Sequence, residues 1–386
     1  MKKLVSVYSL LLFLYPACQV SNRDELVQPL IEATREEFAP DKRIARFDLT
    51  WEQGVLSGET NLPEAHRTLL ERLREKEIDY TDSVRLLPET DLGAAHLALV
   101  TNSVANIRSD PRHSAELAMQ ALMGTPLKVL KKSGSWYLVQ TPDEYISWVD
   151  AAAIVRLDPQ AMEEWMGREK VVVTEMIGNI YRDENKNEIV SDVTAGNVLE
   201  LLETNEQTFR VQLPDGRTGY VPIAHAVPYE RWKNSRSTDD LSLINTAKQM
   251  MGSPYLWGGT SPKGMDCSGF TKTIYFLNGK VIPRDASQQI LEGELVDTEK
   301  NWEDLEVGDL LFFGVPATAD TKERVVHVGM WIGENRFIHS RGRVRISSFD
   351  PDDENFDAYE LDRYLRTKRI RNQPSERILS VDQILQ

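Results

Sequence analysis

Apolar positions change their spacing as the chain proceeds, and the changes mark its organisation. Residues 24–95 are polar and helix-prone, and Leu62-Pro63-Glu64-Ala65 opens a stretch that puts Leu69, Leu70 and Leu73 on one face. That spacing predicts an amphipathic helix. Further on, the pattern shortens to alternation with Pro-Asp turns, and it repeats. Val139-Gln140-Thr141-Pro142-Asp143 recurs 72 residues later as Val211-Gln212-Leu213-Pro214-Asp215. Trp148-Val149 matches Tyr220-Val221, and Leu127-Lys128-Val129-Leu130 matches Leu199-Glu200-Leu201-Leu202, at the same offset. Two copies of a unit this size predict two small β-barrels, because a solenoid needs more repeats. The polar run Asn234-Ser235-Arg236-Ser237-Thr238-Asp239-Asp240 predicts a linker ending in a helix cap. Leu241, Ile244, Ala247 and Met251 then predict one apolar helix face. A second helix is predicted over 269–277, stopped by Asn278-Gly279. Residues 325–333 and 337–340 read as strands around Gly333-Glu334-Asn335-Arg336, an antiparallel hairpin. Helices first and strands later predict an α+β domain over 239–372, followed by an adjunct tail.

One apolar run does not belong to any of these domains. Lys2 and Lys3 precede an apolar stretch at 4–14, and Pro16-Ala17-Cys18 supplies small residues after it. The run is too short to span a bilayer, so 1–18 is predicted to be an export signal. Cys18 resembles the lipidated cysteine of bacterial lipoproteins, which implies a lipid anchor there and a place in the cell envelope or periplasm. Length adds that 386 residues suit two to four domains. A net charge of −15 with no basic stripe excludes nucleic acid as the main partner.

Cysteine usage sharpens the picture, since the chain has only two. With Cys18 lipidated or removed, Cys267 is a lone free thiol in an exported protein. Asp266-Cys267-Ser268-Gly269-Phe270 sets it where the loop Ser253-Pro254-Tyr255-Leu256-Trp257-Gly258-Gly259 turns into a helix. Unpaired N–H groups and the positive end of the helix dipole favour thiolate there, predicting a nucleophile ionised near neutral pH. A small buried core residue is the plainer alternative, and the polar, glycine-flanked setting argues against it.

Register decides whether His327 and His339 meet. If Gly333-Glu334-Asn335 is a three-residue loop and Ile332 pairs with Arg336, His339 lies opposite Gly329 on the face that carries His327. Gly329 then leaves room for the second ring, and a one-residue slip would separate the two. In that arrangement Cys267 attacks a carbonyl, His327 takes its proton, and His339 holds the tautomer of His327. The Cys267 backbone N–H would help stabilise the oxyanion. Zinc ligation by Cys267, His327 and His339 is a further reading, unsupported by any Cys-x-x-Cys or His-Glu-x-x-His spacing.

Asp266-Cys267-Ser268-Gly269-Phe270, His327-Val328-Gly329 and Phe337-Ile338-His339 resemble the NlpC-type cell-wall cysteine peptidases, which are papain-like. The preceding repeats, with Val104-Ala105-Asn106-Ile107-Arg108-Ser109-Asp110-Pro111 at the start of the first, resemble bacterial SH3 domains. The combination is similar to that of the γ-D-glutamyl-L-diamino acid endopeptidases of murein peptide recycling. The resemblance implies an α+β papain-like catalytic domain (239–372) preceded by two small all-β SH3-like barrels (96–160 and 165–232) and an N-terminal helical segment (24–95). It implies hydrolysis of the bond from γ-D-Glu to L-Lys or meso-diaminopimelate in peptidoglycan-derived peptides with a free amino-terminal L-Ala, without metal or cofactor. It also implies the triad Cys267, His327 and His339, with the Tyr255 hydroxyl near the oxyanion and Trp257 lining the site. Asp266, Ser268, Arg284 and Asp285 are implied substrate contacts, and Glu116 and Tyr145 of the first barrel close the site over the substrate's amino end. Ser287 follows Arg284-Asp285 with Ala286 between, one position later than the family's serine. Fixing the substrate ammonium calls for a buried carboxylate, which Glu116 or Asp285 would supply. A papain-like amidase or acyltransferase, and a non-catalytic peptidoglycan-binding lipoprotein, are the alternatives.

Overall fold

The computed structural model describes residues 24–373 and 375–385; the expected signal and Cys18 lie outside the described residues. No helix among the described residues is long and apolar enough to cross a membrane. The chain forms two compact units. One comprises the residues up to Lys42 with Arg46–Leu86, and the other Arg43–Ala45 with everything from Leu87 onward.

The first unit contains the helices Asp24–Phe38 and Pro63–Glu75. Ala65, Leu69 and Leu73 form the buried face of the second, while Leu70, expected on that face, is half-buried at its edge. A three-stranded sheet accompanies them. Strands Phe47–Glu52 and Val55–Thr60 form a hairpin, and Thr81–Leu86 adds in parallel to the second. Phe47 and Leu49 are buried while Asp48 and Thr50 are exposed, the alternation of a half-buried strand.

In the second unit the repeat becomes two seven-stranded antiparallel sheets of identical strand order. Strand Pro126–Ser133 corresponds to Val198–Thr204, Trp136–Gln140 to Thr208–Gln212, and Ile146–Asp150 to Thr218–Pro222. Even a bulge recurs, between Val129 and Lys131 in one copy and between Leu201 and Glu203 in the other. Each sheet encloses its own aliphatic core, around Ile107, Val129 and Val139 in the first and Ile180, Leu199 and Val211 in the second.

The last part pairs a helix, Cys267–Leu277, with a six-stranded antiparallel sheet. In the sheet, Leu310, Phe312, Val328, Met330 and Ile338 share a core with Phe270 and Ile274 of the helix. Leu311, Phe313, Trp331 and Phe337 turn to the other face, where Trp302, Phe349 and Tyr364 cover them. The helix Asp240–Gln249 departs from its expected face. Leu243, Ala247 and Met250 are buried, whereas Leu241 and Met251 are exposed. Two apolar stripes compete along it, and the i, i+4, i+7 stripe at 243, 247 and 250 meets the core. The tail is no loose adjunct either: Leu379–Ser380 pairs with Lys280–Val281, and Val381 is buried beside Trp232.

Candidate active site

Cys267 is the first residue of its helix, and Asp266 is the cap, accepting from Gly269 N at 2.7 Å. The turn before the helix is crowded. A Cβ on Gly269 would come within 2.0 Å of the Gly259 carbonyl oxygen, so only glycine fits. Asp266 does more than cap. Its Oδ2 accepts from Gly258 N at 2.9 Å, and Arg284 grips both oxygens, at 3.1 and 2.6 Å. Arg284 also donates to Ser268 Oγ at 2.9 Å. Asp266, Ser268 and Arg284 are all buried, so these implied substrate contacts form a brace that ties the Cys267 helix to the Trp257 loop.

The histidine hairpin forms with the predicted pairs Met330–Ile338 and Trp331–Phe337. Its loop is tighter than expected. Gly333 pairs with Arg336 across a two-residue turn, Glu334-Asn335, with both φ angles positive, and a bulge at Ile332 absorbs the extra residue. The register therefore survives, and His327 Nε2 lies 2.7 Å from His339 Nδ1, both rings buried. Gly329 is required: a Cβ there would come within 2.9 Å of Phe337 and 3.2 Å of His339 Cβ. The backbone N–H of Val328, next to His327, reaches the Cys267 sulfur, as does that of Ser268.

Beyond the two rings lie groups that no sequence motif singles out. His339 Nε2 is 3.0 Å from Ser347 Oγ, which donates to Asp357 Oδ2 at 2.9 Å. Glu360, wholly buried, lies 3.8 Å from His327 Nε2 and pairs with Arg341 and Arg363. His327, His339 and Glu360 offer ligand atoms within 4.8 Å of one another. A tetrahedral zinc would hold ligand atoms about 3.3 Å apart. The ring nitrogens are closer than that and aimed at each other, which is the geometry of a shared proton. Cys267 is not part of this group, so the zinc set read from the sequence does not form.

Burial reverses the expected ionisation. It pushes the Cys267 thiol up to about 12, with the neighbouring Asp266 charge acting in the same direction. The Val328 and Ser268 N–H groups and Arg284 oppose this without overcoming it. His327 is held well below its ordinary value, first by burial and then by His339, Arg363 and Arg341. His339 falls to about 3 through burial, Arg345 and Arg341. A helix dipole contributes about 0.3–2 kcal/mol, less than the several kcal/mol of stripping water from an ion. Burial thus favours the neutral forms of the thiol and of both imidazoles in the resting protein. A test follows from the sign: below a pKa near 12 the thiolate fraction rises about tenfold per pH unit. Iodoacetamide labelling of Cys267, followed by peptide mapping, should climb steadily from pH 6 to 9. A plateau across neutral pH, the mark of a preformed thiolate–imidazolium pair, would contradict this.

The first barrel reaches this site. Its Gln120 exchanges bonds with Thr260, including Gln120 N to Oγ1 at 3.1 Å and Thr260 N to Oε1 at 3.0 Å. Lys272 pairs at 2.9 Å with Asp143, whose side chain is buried. Gly258, at φ +80°, passes so close that a Cβ would meet the Leu117 carbonyl oxygen at 2.0 Å. Trp257 Nε1 then donates to Glu116 Oε1 at 2.5 Å. Tyr145 is buried in the barrel core. Tyr255 is half-buried, and burial raises its hydroxyl pKa, with the Asp266 charge acting in the same direction. The expected buried carboxylate is absent at both candidate positions. Glu116 is exposed, and half-buried Asp285 is paired at 2.8 Å with Arg43, which also donates to Ser287 at 2.8 Å. Arg43 is held by Ile146 N donating to its carbonyl at 2.7 Å. No motif marks it, because its partners lie more than 240 residues away in sequence.

Residues 252–359 match the NlpC/P60 family, and 107–154 match the bacterial dipeptidyl-peptidase SH3 domain. The gamma-D-glutamyl-L-lysine dipeptidyl-peptidase of Bacillus cereus is 34% identical over 233 residues, covering 58% of this chain and 67% of that protein. Its namesake from Bacillus subtilis is 31% identical over 233 residues, covering 57% and 71%. A solved NlpC/P60 family protein from Bacillus cereus superimposes with a TM-score of 0.60 at 27% identity, over 71% of this chain and 99% of that one.

Proposed function

The chain belongs to the NlpC/P60 family of cysteine peptidases, and from that premise we propose that it cuts γ-D-Glu from L-Lys or meso-diaminopimelate in murein peptides bearing a free amino-terminal L-Ala. The products are L-Ala-γ-D-Glu and the remainder of the stem, and the setting is cell-wall peptide turnover in the envelope. The observation that carries this reading is the meeting of the first barrel with the Cys267 loop, through Glu116 and Trp257. An endopeptidase acting on an intact wall needs no such wall at the amino end, whereas a dipeptidyl-peptidase does. The names of the Bacillus relatives support the same substrate.

In this reading Cys267 attacks the γ-carbonyl carbon. His327 takes the thiol proton and returns it to the leaving amine, giving a thioester that water then hydrolyses. Because Nε2 of His327 faces His339, Nδ1 is the nitrogen that works on the thiol. The Cys267 N–H and the Tyr255 hydroxyl stabilise the oxyanion. Arg43 already balances Asp285, so Glu116, oriented by the Trp257 indole, is the carboxylate that receives the substrate ammonium.

The test compares L-Ala-γ-D-Glu-L-Lys with its N-acetyl form, with products identified by mass spectrometry. A charge-assisted bond of about 1.5–3 kcal/mol predicts that the acetylated peptide is cleaved roughly 10- to 150-fold less efficiently. Glu116→Gln should erase most of that preference, chiefly through KM. Equal cleavage of the two peptides by the unaltered enzyme would refute the dipeptidyl assignment.

A further inference from the structure

We propose that Ser347 and Asp357 are positioning residues that fix the tautomers of His339 and His327, so that the Nδ1 lone pair of His327 is the one left for the thiol. The proposal deepens the peptidase reading above and rests on it for its catalytic consequence. The available protons decide the arrangement. Ser347 Oγ has one hydrogen and two close partners, Asp357 Oδ2 at 2.9 Å and His339 Nε2 at 3.0 Å. Asp357 is a carboxylate flanked by Arg345 at 3.1 Å and Arg341 at 3.8 Å, and it only accepts. The serine hydrogen therefore goes to Asp357, and the serine oxygen accepts from His339 Nε2–H. A neutral imidazole carries one N–H, so His339 Nδ1 is an acceptor. It can then receive only the Nε2–H of His327, 2.7 Å away. The last ring is left with its proton on the inner nitrogen and its lone pair on Nδ1. Burial, which keeps both rings neutral, makes this ordering possible.

A competitor makes the serine and aspartate necessary. Arg345 Nε also points at His339 Nε2, at 3.3 Å. If that contact governed, His339 would hold its proton on Nδ1 and donate to His327 Nε2. His327 would then carry its hydrogen on Nδ1 and could not act as a base there. Asp357 restrains this alternative twice, by orienting Ser347 and by taking Arg345 Nη2. Ser347 and Asp357 touch neither thiol nor substrate in this scheme; they act through the rings.

The experiment is nitrogen NMR of the histidine-labelled full chain, with kinetics on L-Ala-γ-D-Glu-L-Lys. In the unaltered protein His327 and His339 should both carry their proton on Nε2. Ser347→Ala and Asp357→Asn should mix the tautomers and lower kcat about 10- to 100-fold with KM within about twofold. Ser347→Thr, which keeps the hydroxyl, should restore both. Asp357→Asn retains an acceptor for Glu360 N, the helix cap at 3.1 Å, and so guards against simple unfolding. Nδ1-protonated rings in the unaltered protein would overturn the proposal without any variant, as would unchanged tautomers and kcat in both variants. Should the unaltered protein not cleave the peptide at all, the peptidase reading fails while the tautomer measurement still decides this one.

Discussion

Cys267→Ala should stop the hydrolysis of L-Ala-γ-D-Glu-L-Lys, lowering kcat by at least about 10⁴-fold, while the protein stays folded. The size follows from the chemistry. Without sulfur no thioester forms, and what remains is binding and oxyanion stabilisation acting on a water molecule; removing the nucleophile of a hydrolase commonly costs even more. The fold should survive because alanine is the residue best suited to a helix. The backbone of the turn is held by Asp266, Gly269 and Arg284 and does not depend on the thiol. Circular dichroism and a melting temperature within a few degrees of the unaltered protein would establish that the loss is chemical. Cleavage at more than about 1% of the original rate by a folded Cys267→Ala protein would mean that another group attacks the peptide.

Much of this site can be read from the sequence, for reasons visible in particular residues. Strand register follows from alternation, and the Gly329 gap set against His339 gives the hairpin one workable pairing. That is why His327 and His339 could be brought together even though the loop between them is one residue shorter than expected. The repeat was equally plain, since strands 72 residues apart conserve turns, bulges and strand order alike. The thiol's ionisation was not legible. A helix start is a local feature that sequence displays, whereas the burial that pushes Cys267 up to about 12 comes from packing against distant strands. The same holds for Arg43 on Asp285 and for Ser347 on His339: single polar residues whose meaning lies wholly in what the fold sets beside them. Asp285 illustrates the consequence. Seen alone it is a natural ammonium anchor; seen with its arginine it is half of a closed pair.

Arg284→Met should be the most damaging single change to stability, lowering it by about 3–5 kcal/mol in chemical denaturation, the usual cost of stripping one partner from a buried ion pair. Arg284 and Asp266 are both almost wholly buried and joined by two bonds, at 3.1 and 2.6 Å. Methionine fills much of the same space, so the loss would come from stranding the Asp266 charge and not from a cavity. Asp266 is also the group that starts the Cys267 helix and holds Gly258 of the Trp257 loop. The variant should therefore lose activity even where it remains folded. Replacing both members distinguishes the pair from the sum of its parts. Asp266→Asn in the Arg284→Met background removes the stranded charge yet leaves an oxygen to cap Gly269 N, so the double variant should be more stable than Arg284→Met alone. A coupling of about 1–3 kcal/mol in that cycle is expected for residues in direct contact. If the two changes simply add, Arg284 contributes packing alone, and the brace beneath the nucleophile is not electrostatic.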